Sequence, residues 1–92
     1  MLKYQIDDLI DEPLTHSIEV TVELNGQERW CFFVTPEILA SIGDWIDGTK
    51  VRVHLGVPHM IVVSKLNEEI IDRVLKQLYD NGQLENHTTK LV

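Results

Sequence analysis

The residues best equipped for chemistry are one thiol, four imidazoles and a run of carboxylates. The thiol, Cys31, stands in "RWCFFV", between Trp30 and Phe32. A nucleophilic cysteine must ionise near neutral pH, which requires a cation, a helix N-terminus or a base beside it. Strand alternation gives Cys31 a carboxylate neighbour instead, Glu19, whose charge opposes ionisation. The expectation is a packed structural cysteine. Of His16, His54, His59 and His87, the pair His54 and His59 flanks Gly56-Val57-Pro58 and could approach across a turn. Two imidazoles without further ligands at suitable spacing do not make a structural zinc site, so they read as surface histidines on a loop. Asp7, Asp8, Asp11 and Glu12 lack the glycine and alternating oxygen ligands of a calcium-binding loop. They read as a solvated acidic segment whose best functional use is protein recognition. The chain has no phosphate-binding loop, no Gly-x-Ser-x-Gly elbow and no His-Glu-x-x-His. A non-enzymatic protein without metal or cofactor is the expectation.

The elements that position these groups follow from hydrophobic periodicity. "LKYQI" (2–6) suits a short strand, and residues 7–16 an acidic connector containing Pro13. "SIEVTVEL" (17–24) alternates strictly, with Ile18, Val20, Val22 and Leu24 on one face, as in a half-buried antiparallel strand. Asn25-Gly26 then marks a hairpin. A two-residue turn there would oppose Glu23 to Glu28 and Val22 to Arg29. A three-residue turn with a bulge at Gly26 avoids both, so the bulged register is predicted. It places Trp30, Phe32 and Val34 in the core and turns Cys31 and Phe33 to the other face, near Glu19 and Thr21. Because the third strand is apolar on both sides, it is expected inside the sheet, its second face partly covered or offered to a partner.

Thr35-Pro36-Glu37 combines an N-cap hydroxyl, a first-turn proline and a first-turn acid. The apolar positions Ile38, Leu39, Ile42, Trp45 and Ile46 extend that helix toward Gly48. "KVRVHL" (50–55) and "HMIVVS" (59–64) read as strands, the second more fully buried. Residues 67–82 read as an amphipathic helix capped by Asn67 and Gly82, with Glu69–Arg73 and Asp72–Lys76 pairs on its outer face. Trp45 and Tyr79 are expected in the core, and the tail after Gly82 adds a short edge strand or frays. The fold class that results is α+β, one two-layer domain over residues 1–92, a mainly antiparallel sheet with two helices on one face.

Charge limits the partners. Ten acids against Lys3 and Arg29 make residues 1–47 acidic, whereas residues 48–92 are nearly balanced within the total of −7. Such a surface repels phosphate backbones, so nucleic acid is an unsuitable partner. It either serves solubility or attracts a basic protein surface. No apolar run reaches the roughly 20 residues of a membrane helix, and no apolar stretch follows Lys3 to make a signal peptide. With a single cysteine, a cytoplasmic location without intrachain disulfides is expected.

The segments "FFVTPEIL" and "HMIVVSKLNEEIIDRVLKQL" resemble immunity protein family 8 of bacterial polymorphic-toxin systems over about residues 17–80. There too a hydrophobic strand runs into Thr-Pro and a helix, and a later strand leads into a terminal amphipathic helix. Ile38 stands where an aromatic is expected in that family. The resemblance implies a small cytoplasmic α+β protein that binds and blocks a cognate toxin without catalysis. The leading expectation is thus a protein-binding inhibitor whose contacts include Glu19, Glu23, Arg29, Phe33, Asp7, Asp8, Asp11 and Glu12. The alternative is a homodimeric subunit or assembly module that uses the same second face of the sheet.

Overall fold

Residues 2–11, 14–41, 44–45, 48–49, 52–53 and 56–91 are described by the computed structural model. The expectations for Glu12, Ile42, Ile46 and His54 lie outside those residues.

The alternating segment forms β2 (Ile18–Leu24), joined by Asn25-Gly26 to β3 (Gln27–Val34). Preceding them, β1 (Lys3–Ile6) pairs antiparallel with β2, Tyr4 opposite Val22 and Gln5 opposite Thr21. The hairpin closes with the two-residue turn, not the bulge. Asn25 and Gly26 have φ of 53° and 79°, as a type I′ turn requires, and Leu24 faces Gln27. Gly26 thus has the expected positive φ, but the register differs by one: Ile18 faces Phe33, Val20 faces Cys31 and Val22 faces Arg29. A one-residue slip exchanges the faces of a strand. Cys31 and Phe33 point into the core, fully buried, while Trp30 and Phe32 lie half-buried on the other face.

Two effects favour this register over the bulged one. It matches aliphatic side chains with Cys31 and Phe33 at two successive core positions, and it uses the turn Asn-Gly prefers. The penalty is the Glu23–Glu28 pair, which lies on the exposed face, where water screens it. Val22 opposite Arg29 is tolerated because the guanidinium makes three hydrogen bonds inside the fold. Arg29 Nε donates to Thr88 Oγ1 at 2.7 Å, and Nη2 donates to the carbonyls of Thr88 (2.9 Å) and Glu85 (3.1 Å).

After β3, Thr35 caps a short helix, α1 (Pro36–Ser41): its Oγ1 accepts from Ile38 N at 3.3 Å. The helix ends well before the expected Gly48, and Asp44–Trp45 (β4) instead pairs with Arg52–Val53 (β5) as a separate two-stranded sheet. An interior glycine costs a helix about 1 kcal/mol relative to alanine, and the run 38–46 contains one at Gly43. Too few residues then remain for the helix to propagate. The next strand, β6 (Met60–Val62), is shorter and more exposed than expected, and it pairs parallel to the C-terminal half of β3. Beyond the second helix, β7 (Thr89–Lys90) pairs antiparallel to β3 at Arg29 and Trp30. β3 is therefore interior, with β2 on one side and β6 and β7 sharing the other.

The helix α2 (Glu68–Asp80) matches its signals at both ends. Asn67 Oδ1 accepts from Ile70 N at 2.9 Å. At the far end Gly82, with φ 69°, lets Gln83 N reach Leu78 O (2.8 Å) and Gly82 N reach Tyr79 O (3.1 Å), a Schellman closure. Ile71 and Leu75 are fully buried against Ile18, Val20, Val22, Cys31 and Phe33, and Ile38 of α1 joins the same cluster. Burial of each such side chain is worth about 1.5–3 kcal/mol. On the outer side the Glu69–Arg73 (3.1 Å) and Asp72–Lys76 (2.9 Å) pairs form as expected. Tyr79, in contrast, is exposed: although it follows Ile71 and Leu75 at i+8 and i+4, it stands in the last turn of α2, beside the hairpin turn at Leu24 and Asn25. The result is an α+β fold, a mixed, mostly antiparallel five-stranded sheet with helices packed on it.

Candidate protein-binding face

One face of the sheet is sealed by α2; the other carries the groups available to solvent. Pairing aligns Glu19 with Phe32, Thr21 with Trp30 and Glu23 with Glu28 on that second face. β6 adds Met60 beside Phe32, and the preceding His59 closes the group from its turn. The indole of Trp30 lies 4.7 Å from the His59 ring and 5.9 Å from that of Phe32, between ring centroids, and His59 meets Phe32 edge-on at 5.5 Å. Backbone geometry fixes this arrangement, since Phe32 N donates to His59 O at 3.0 Å. His59 is therefore a half-buried member of an aromatic cluster, not a free loop histidine.

Carboxylates border the cluster. Asp7 is tied down by its backbone N–H to Glu19 O (2.8 Å) and by Thr21 Oγ1, which donates to its Oδ2 at 2.7 Å. Asp8 Oδ2 accepts from the backbone N–H of Glu19 at 2.7 Å. Two of the connector's acids thus hold the connector onto β2. Among the described residues, Asp7, Glu19, Glu23 and Glu28 form no ion pair. Between Asp7, Glu19, Thr21, Trp30 and Leu91 lies a shallow hollow of about 180 Å³. A larger one, about 310 Å³, sits at the hairpin turn between Lys3, Glu23, Gly26 and Tyr79 and touches none of the aromatic cluster.

Of the expected contact residues, the structure brings Asp7, Glu19 and Glu23 to this face, while the Asp8 carboxylate is bonded to the backbone N–H of Glu19. Asp11 is exposed. Arg29 and Phe33 do not belong here: both point into the core, for the register reason above. Their places are taken by Trp30, Phe32, His59 and Glu28. The aromatic signal is present in "RWCFF", but the strand has the opposite phase to the one predicted for it.

Cys31 is a core residue whose thiol is pushed up to about 12 by burial. Its cross-strand partner is Val20, so desolvation, not the Glu19 charge, opposes ionisation. Among the described residues no group of three His, Cys, Asp or Glu side chains is placed to hold a metal ion. None of their helices is long and apolar enough to cross a membrane. The other perturbed pair joins β1 to α2: Tyr4 Oη donates to Asp72 Oδ1 at 2.6 Å. That bond raises the phenol to about 12 and, with Lys76, holds the Asp72 carboxyl below its usual range.

No protein family, curated protein or solved structure matches the chain.

Proposed function

We propose that this chain is a non-catalytic protein-binding protein that engages a basic partner through the open face of its sheet. The observation that carries the reading is the half-buried cluster of Trp30, Phe32 and His59 bordered by Asp7, Glu19, Glu23 and Glu28. Aromatic groups at the centre supply contact area, and charges at the rim supply selectivity and rate. The particular form we favour is an immunity protein that binds and neutralises a cognate toxin in the bacterial cytoplasm. The resemblance of "FFVTPEIL" and "HMIVVSKLNEEIIDRVLKQL" to that family supports it. A homodimer through the same face is the second reading. It would press the carboxylates of two copies together, so the charge distribution favours the basic partner.

Association kinetics with the partner co-purified from the native host test the proposal. Reversing charge at Glu19 and Glu23 is expected to slow association by about tenfold at low salt and to flatten its salt dependence. The thermal midpoint should stay nearly unchanged. A rate indifferent to salt and to both substitutions, together with a dimer in sedimentation, would transfer the face to self-association.

A further inference from the structure

We infer that the hollow beside Trp30 is a socket for one arginine side chain of the partner. This rests on the basic-partner reading and names its anchoring contact. The hollow combines three features that a guanidinium requires. Two carboxylates, Asp7 and Glu19, face it, and neither is neutralised by a cation among the described residues. Trp30 lines it, which puts beside the carboxylates an indole, the ring with which a planar cation interacts better than a compact ammonium. Leu91 lines it as well, offering an apolar surface to the methylenes of the arginine stem.

The socket is built before any ligand arrives. Asp7 is fixed at its backbone and at one carboxylate oxygen, which leaves Oδ1 to accept from a ligand. Glu19 has its backbone fixed by Asp8, while its carboxylate makes no hydrogen bond with the described residues. His59 and Phe32 hold the indole. Size agrees: about 180 Å³ lies below the roughly 300 Å³ at which pockets for larger organic ligands begin, and suits one side-chain head group.

The test uses the whole chain and a free ligand, so it does not depend on the partner. N-acetylarginine methylamide is titrated while the indole N–H signals of the two tryptophans are followed by NMR, the Trp30 signal being assigned with Trp30→Phe. The expected result is a saturable shift of the Trp30 signal at millimolar concentration, weakened about tenfold by Glu19→Gln. The neutral isostere N-acetylcitrulline methylamide should produce no saturable shift, and the lysine analogue should bind more weakly. Equal response to citrulline, tighter binding of lysine, or an affinity unaffected by Glu19→Gln would each overturn the socket. An arginine-blind hollow in a protein that still binds a basic partner through this face would sink the inference and leave the proposed function standing. A saturable arginine site with salt-indifferent partner association would do the reverse.

Discussion

Arg29 offers the sharpest test of the register and of the way the chain's last strand is held. Its guanidinium is buried, with the residue 8% exposed, and donates to a hydroxyl and two backbone carbonyls between residues 85 and 88. Arg29→Met keeps most of the apolar stem and removes all three bonds. Thr88 Oγ1 remains satisfied as a donor to Leu84 O, but the carbonyls of Glu85 and Thr88 lose this donor. The buried Thr88 carbonyl stranded in this way costs about 1–3 kcal/mol and the part-buried Glu85 carbonyl less, since water reaches it, and relief of the buried charge returns part. The net expectation is a loss of about 2 kcal/mol, a fall in midpoint of about 10 °C for a domain of this size. Arg29→Lys keeps the charge but not the fork, and should fall between. Urea and thermal unfolding measure the loss. Amide exchange at Leu91, whose N–H donates to Glu28 O at 3.1 Å, measures release of β7. A methionine variant within about 0.5 kcal/mol of the parent, with unchanged exchange at Leu91, would refute the argument, since that is the ordinary scatter of surface substitutions.

Two further outcomes follow from the titrating groups. Tyr4→Phe should lower the midpoint at neutral pH and flatten the alkaline limb of stability. Because the folded phenol is raised to about 12 from an unfolded value near 10, its contribution is complete below about pH 10 and lost as pH rises toward 12. Its partner Asp72 is shifted the opposite way, so the acid limb of the same bond is lost as pH falls below the ordinary aspartate value of about 3.9 and through the depressed folded one. Ultraviolet titration of the phenols checks this: of the two tyrosines, one should ionise late in the folded protein. Cys31→Ala should cost about 1 kcal/mol and leave partner binding in place, whereas Cys31→Ser should cost more by burying a hydroxyl. Thiol-reagent kinetics should be limited by unfolding, and rapid labelling of the native protein would contradict the core position.

Local signals in the sequence carried much of this fold. The inward set of β2, the turn at Asn25-Gly26, the Thr35 and Asn67 caps and the Gly82 closure each follow from a few adjacent residues. The phase of β3 did not, because Trp30 and Phe32 are as apolar as Cys31 and Phe33, and either pair fits a core. Arg29 would have decided it. A charge at that position reads as outward-facing unless its partners are known, and they lie 56 and 59 residues downstream. The candidate face depends on that phase. Its acids were legible from the alternation of β2, while its aromatic centre required the register. The parallel pairing of β6 with β3 was equally hidden, since direction depends on the intervening connection and not on the strand's composition.

The border of β3 away from β2 has a consequence for how the molecule behaves at high concentration. Two strands meet there end to end, β6 running with β3 and β7 against it, each only two or three residues long. A foreign strand laid along that margin would find parallel geometry over one half and antiparallel over the other, with the polarity reversing near Cys31. No uniform ladder can continue across the break. The opposite margin, β1, is four residues long and carries Lys3 near its start. Exposed sheet edges are the usual nuclei of fibrils and swapped oligomers, and natural sheets blunt them with short strands and lysine. Here the patchwork edge lets the chain display a row of aromatic side chains on one face without offering a template for stacking sheet upon sheet.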